Sequence, residues 1–113
     1  EGLYKFLKRT AAEYTGDLPL IITENGMASP DVLQNGTVAD PARIAYINAH
    51  LAKVKQAAEE GVPVNGYFLW SLLDNYEWAL GYEKRFGLVH VDFESLQRTP
   101  KDSYKALMFA LTR

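Results

Sequence analysis

The chain has 113 residues, 48% hydrophobic, 23% charged and 12% aromatic, which excludes a disordered or low-complexity protein. A net charge of −2 with interspersed acids and bases offers no basic face for nucleic acid or an anionic membrane. Cysteine is absent, which excludes a disulfide framework and thiolate chemistry; with no bilayer-spanning apolar run and no signal peptide, a cytoplasmic location is expected.

Leu3, Phe6, Leu7, Ala11 and Tyr14 recur at three- and four-residue steps, so residues 3–15 are predicted as an amphipathic helix stopped by Gly16. Residues 18–23 follow as an apolar run without alternation, the pattern of a parallel strand covered on both faces. After a polar loop, Asp40-Pro41 is a good helix start, an N-cap acid before proline at the first helical position. Ile44, Ile47, Leu51, Val54 and Ala58 form the predicted buried stripe of that helix, which Gly61 ends. Residues 64–73 are a second continuous apolar strand, 74–86 an aromatic loop and 87–93 a short extended piece. Thr99-Pro100-Lys101-Asp102 resembles the capping signal of a last helix carrying Tyr104, Leu107, Met108 and Leu111. Covered strands alternating with helices imply an α/β protein with a parallel sheet. Two such strands leave edges that need neighbours, so residues 1–113 are expected to be part of a larger barrel or sheet and not an independent domain.

Glu24 ends the first strand and stands before Asn25-Gly26, a pair that turns chains because both residues tolerate positive φ. It is either a turn acid or, because α/β folds place chemistry at the carboxyl ends of their strands, a nucleophile or general base. The second strand closes with Trp70 and Asp74, and the loop adds Tyr76, Glu77, Trp78, Tyr82 and Phe86. These form either a hydrophobic cluster with surface charges or a sugar site, in which aromatic faces pack on pyranose C–H faces and carboxylates accept hydroxyl hydrogen bonds. Both strands are expected to deliver acids to one rim. His50 and His90 lack a third ligand at suitable spacing, so both are read as structural and no metal is expected. Asn35-Gly36-Thr37 is read as a turn although it matches a glycosylation sequon.

ITENG at 22–26, YFLWSLLDNYEW at 67–78 and GYEKRFGLVHVDF at 81–93 together resemble the C-terminal quarter of a family 1 retaining β-glycosidase, the β-glucosidase group. The resemblance covers essentially the whole chain. It implies a (β/α)8 TIM barrel in which 18–23 is the seventh strand and 64–70 the eighth, the helices being the sixth, seventh and eighth. It further implies that Glu24 is the catalytic nucleophile and Trp70 the aromatic platform under the glycone. Glu77 grips two glycone hydroxyls, Trp78 donates its indole N–H beside it, and Phe86 walls the same subsite. Relatives acting on 6-phosphorylated sugars usually carry serine at the position of Glu77 and tyrosine at that of Phe86, so a non-phosphorylated glycone is implied.

The implied reaction is hydrolysis of terminal non-reducing β-D-glycosides by double displacement, with no cofactor. Its acid/base and the rest of the glycone site belong to an N-terminal part that is the expected partner, so the isolated chain is expected to be inactive. The expected substrates are small β-glycosides or cello-oligosaccharides. A sugar-binding or assembly module without catalysis, using Glu24 only as a hydrogen-bond acceptor, is the alternative.

Overall fold

The computed structural model describes residues 1–112. Helix α1 (Gly2–Thr10) continues into a π-helical turn (Ala11–Thr15) and stops at Gly16, whose φ of 56° places it in the left-handed region. Then come strand β1 (Leu20–Asn25), helix α2 (Pro41–Glu59) and strand β2 (Val64–Leu69), which pairs parallel with β1. A long loop leads to the antiparallel pair β3 (Val89–Val91) and β4 (Arg98–Pro100) and to helix α3 (Asp102–Leu111).

One face of the β1–β2 pair is packed. Leu7, Ile22, Ala57 and Val62 form its buried centre, with Leu3, Tyr4, Leu20, Val54, Val64 and Tyr67 around them. The continuous apolar run predicts cover on both faces, but Ile21 is 56% and Phe68 61% exposed. Helices therefore cover one face of the pair and leave the other open. The radius of gyration is 15.9 Å, and the chain is a slab only 19 Å in its thinnest dimension. A compact domain of this length has a radius of about 13 Å.

Several boundaries differ from expectation for local reasons. Strand β1 begins and ends two residues later than 18–23, so Glu24 lies within it. The last buried position of α2 is Ala57, with Ala58 exposed. Asp40 stands at the N-cap of α2, but its side chain does not cap; it is committed to Arg43 and Ser103. Thr99 and Pro100 do not cap α3 either. They belong to β4, and Lys101 takes the N-cap position. Asn35-Gly36 is the expected turn: φ is 50° and 74°, and Gln34 and Thr37 exchange backbone hydrogen bonds at 2.8 and 2.9 Å.

Candidate functional site

The carboxyl ends of β1 and β2 open on a cleft of about 560 Å³ lined by Glu24, Asn25, Gly26, Trp70, Glu77, Trp78 and Phe86. The five side chains singled out from the sequence thus come together from three segments. Glu24 is exposed, and its carboxylate meets no hydrogen-bond or ion-pair partner among the described residues. Trp78, at the start of a 3-10 turn (Trp78–Leu80), is 83% exposed with φ of 39°. Trp70 is exposed, while Glu77 and Phe86 are half-buried.

The Asn25-Gly26 step has a different physical basis from the one expected. Neither residue has positive φ. Asn25 is the last residue of β1, and its carbonyl accepts the Trp70 N–H at 2.9 Å. Gly26 is required by close approach: a Cβ there would stand 1.9 Å from the Trp70 carbonyl oxygen. The ends of the two strands therefore touch where the cleft begins.

The aromatic loop divides into two groups. Trp70, Trp78 and Phe86 line the cleft. Tyr76 packs edge-on against Tyr82 at 5.3 Å, and Tyr82 lies 4.3 Å from Phe93, so these tyrosines form the hydrophobic cluster instead. Arg85 stacks over Phe93 at 4.6 Å.

Asp74 does not join Glu24 at the rim. It is buried, accepts hydrogen bonds from Arg85 Nη1 and Lys101 Nζ at 2.7 Å each, and takes the backbone N–H of Gly87 at 2.9 Å. The second carboxylate of the cleft is Glu77. Asp74 belongs to a buried cluster that local sequence signals do not reveal. Lys101, 0% exposed, bridges Asp74 and Asp31, and Arg43 bridges Asp31 and Asp40 at 2.6 Å each. Ser103 donates to Asp40 through both its N–H and its hydroxyl. Three acids meet three bases, so no net charge is buried. Burial alone would push Asp31 up, but the hydrogen bonds from Arg43 and Lys101 outweigh it and hold the carboxyl below its ordinary value.

This cluster ties together the two loops that flank the cleft. Asp74 and Arg85 bracket the stretch carrying Glu77 and Trp78. Arg85 exchanges backbone hydrogen bonds with Ser29, in the loop after Glu24, and its carbonyl also accepts from Arg43.

His50 stacks on Tyr46 at 3.8 Å, and its Nδ1 lies 2.8 Å from the Tyr46 carbonyl. His90 is buried beside the charge cluster, and burial, followed by the Arg85 charge, holds it below its usual value. No group of three or more His, Cys, Asp or Glu side chains able to hold a metal occurs among the described residues.

Residues 1–110 match the family model for glycosyl hydrolase family 1. The chain belongs to this family. It is 52% identical over 109 residues to a bifunctional β-D-glucosidase/β-D-fucosidase of Bifidobacterium breve, covering 92% of this chain and 24% of that protein. Over 103 residues it is 48% identical to a 6-phospho-β-galactosidase of Leptotrichia buccalis, covering 91% of this chain and 22% of that protein. Its fold superposes on a β-glucosidase from Thermotoga maritima solved with castanospermine, with a TM-score of 0.94 and 46% identity over 98% of this chain and 25% of that one. The chain thus spans about a quarter of the length of the relatives it matches, and is a glycoside hydrolase segment corresponding to part of their barrel.

Proposed function

We propose that the chain supplies the nucleophile and the glycone-binding half-site of a retaining β-glucosidase acting on terminal non-reducing β-D-glycosides, small β-glucosides and cello-oligosaccharides among them. The observation that carries this reading is the cleft at the strand ends, where two carboxylates and three aromatic side chains converge. In this reading β1 and β2 are the seventh and eighth strands of a (β/α)8 barrel. The open face of the pair is the barrel interior, completed by the N-terminal remainder of the enzyme. Supporting it are the exposed Ile21 and Phe68 and a radius larger than a compact domain's.

Glu24 attacks the anomeric carbon as a carboxylate, forming a glycosyl ester as the bond to the leaving oxygen breaks. A second carboxyl group, roughly 5–5.5 Å away in retaining enzymes, protonates that oxygen and then takes a proton from the water that hydrolyses the ester. Trp70 presents a flat face to the sugar, Glu77 accepts from its hydroxyls, Trp78 donates its indole N–H beside Glu77, and Phe86 closes the wall. Glu77 is committed to binding, and Glu13, Glu59, Glu60, Glu83 and Glu94 do not line the cleft. The acid/base therefore comes from another segment, and the 113-residue chain alone is inactive.

Relatives at similar identity include enzymes of both phosphorylated and unphosphorylated sugars, so the glycone is argued from the site. Among the described residues the cleft lining contains two carboxylates and no cation, an arrangement that repels a sugar phosphate. The substrate is accordingly a non-phosphorylated glycoside.

In the complete enzyme, Glu24→Gln is expected to lower kcat on the order of 10⁴-fold, the scale of losing a member of a catalytic unit. The first-formed product is expected by proton NMR to be the β-anomer. A modest change in affinity with turnover preserved would establish the binding-only alternative instead.

A further inference from the structure

The pairing of β1 with β2 is irregular at the residue the proposed chemistry needs. Ile22 faces Tyr67 and Asn25 faces Leu69, so β1 takes three steps where β2 takes two. Thr23 and Glu24 occupy that shift. An extra residue of this kind bends a strand and re-aims its side chains, and such shifts recur beside active sites. It also means that the regular ladder does not by itself fix which way Glu24 points.

The residue after the shift is held by side chains. Asn25 Oδ1 accepts the Tyr67 hydroxyl at 2.6 Å, and Asn25 Nδ2 donates to the Tyr46 hydroxyl at 3.3 Å. Tyr67 lies on β2 and Tyr46 on α2, so one amide ties the end of β1 to the neighbouring strand and to the covering helix. Tyr46 is itself held, its ring stacked on His50 and its carbonyl against His50 Nδ1. The Asn25 carbonyl accepts the Trp70 N–H at the same point. Burial, reinforced by Tyr46, pushes the Tyr67 hydroxyl up to about 12, so it remains a proton donor to Asn25 across the working pH range.

Resting on the nucleophile reading of Glu24, we infer that Asn25 is a positioning residue: clamped between Tyr67 and Tyr46, it fixes the irregular end of β1 so that the Glu24 carboxylate is aimed into the cleft. It touches no substrate in this role. It acts through the backbone of the residue beside it, and its loss affects the attack of Glu24 more than binding of the glycone, which Trp70, Glu77, Trp78 and Phe86 provide.

The test compares Asn25→Ala, Tyr67→Phe and the double variant with the unaltered complete enzyme. It reads kcat, KM, the rate of covalent trapping by a 2-deoxy-2-fluoro-β-D-glucoside, and thermal midpoint. Each single variant is expected to slow trapping and kcat about 10–100-fold, the scale of a misaligned reacting group, with KM changed less than about threefold. The double variant is expected to be no slower than Asn25→Ala, because that change already removes the Tyr67 hydrogen bond together with the one to Tyr46. Trapping within twofold of the unaltered enzyme in Tyr67→Phe overturns the inference, as does a loss spread equally over KM and kcat. If Asn25→Ala does not fold, Tyr67→Phe, which removes one oxygen and keeps the ring, still decides. Peptide mapping separates the two claims. Label on Glu24 at unaltered rates sinks only the positioning role, whereas label on another carboxylate sinks the nucleophile assignment beneath it.

Discussion

The cleft and the buried charge cluster are made from the same residue types, and they differ in how completely their charges are paired. In the cluster every carboxylate has a cationic partner at hydrogen-bond distance: Asp31 and Asp74 share Lys101, and Asp40 holds Arg43. In the cleft, Glu24 and Glu77 share a wall with aromatic rings and, among the described residues, no cation. An acid near the end of a β-strand can serve either arrangement. Asp74 and Glu77 stand three residues apart, yet one ties loops together and the other faces open space. What separates them is the supply of counter-charges from distant segments, here Arg85 and Lys101.

The comparison predicts kinetic effects on one side and stability effects on the other. The largest should come from the cleft. Glu77→Ser in the complete enzyme is expected to lower kcat/KM for an aryl β-glucoside about 10²–10⁴-fold, corresponding to two charged hydrogen bonds of roughly 1.5–3 kcal/mol each. The thermal midpoint should be nearly unchanged. A large fall in midpoint would show that Glu77 is a structural acid like Asp74.

In the cluster, Lys101→Met leaves Asp31 and Asp74 without their shared cation. It is expected to destabilise the complete enzyme by about 3–5 kcal/mol in denaturant unfolding, the cost of breaking a buried ion pair from one side. Any KM change should be secondary. A cost below about 1 kcal/mol, the level of exposed pairs, would contradict the buried network.

The smallest effect is in pH. His90 has a folded value below its ordinary 6.5, so it contributes stability that is complete above 6.5 and lost as pH falls from there towards the folded value. Asp31, also depressed, adds stability that is complete above 3.8 and lost as pH falls below it through the folded value. Unfolding midpoints should therefore decline in two successive acid windows. His90→Gln should abolish the upper decline and leave the lower one. Loss of both together would show that the histidine titrates as part of the carboxylate cluster.

Much of this architecture can be read locally. The order of helices and parallel strands follows from apolar periodicity, and Gly16 and Pro41 mark real boundaries. The residues lining the cleft follow from family motifs, but spacing alone left Glu24 as either a turn acid or a nucleophile. Three features were not legible, each because its cause is non-local. The glycine at 26 is set by the Trp70 carbonyl, a contact across strands. Arg43 and Lys101 are buried because acids from other segments meet them, whereas locally Lys101 is only part of a capping signal. Thr99 and Pro100 pair with β3 because the turn after Asp92 folds back on that strand, where Gln97 accepts the Asp92 N–H at 3.0 Å. Cover on both faces failed for a related reason: an apolar strand records the surroundings it is suited to, including any that lie outside this quarter.

A nucleophile at Glu24, as proposed, becomes covalently bound to the sugar during turnover. The direct measurement is to inactivate the complete enzyme with a 2-deoxy-2-fluoro-β-D-glucoside and locate the label by mass spectrometry of its peptides. One fluoroglucosyl group per enzyme is expected, on the peptide containing Ile22–Gly26 and on Glu24 within it. A label on any other carboxylate, or time-dependent inactivation that persists in Glu24→Gln, would contradict it.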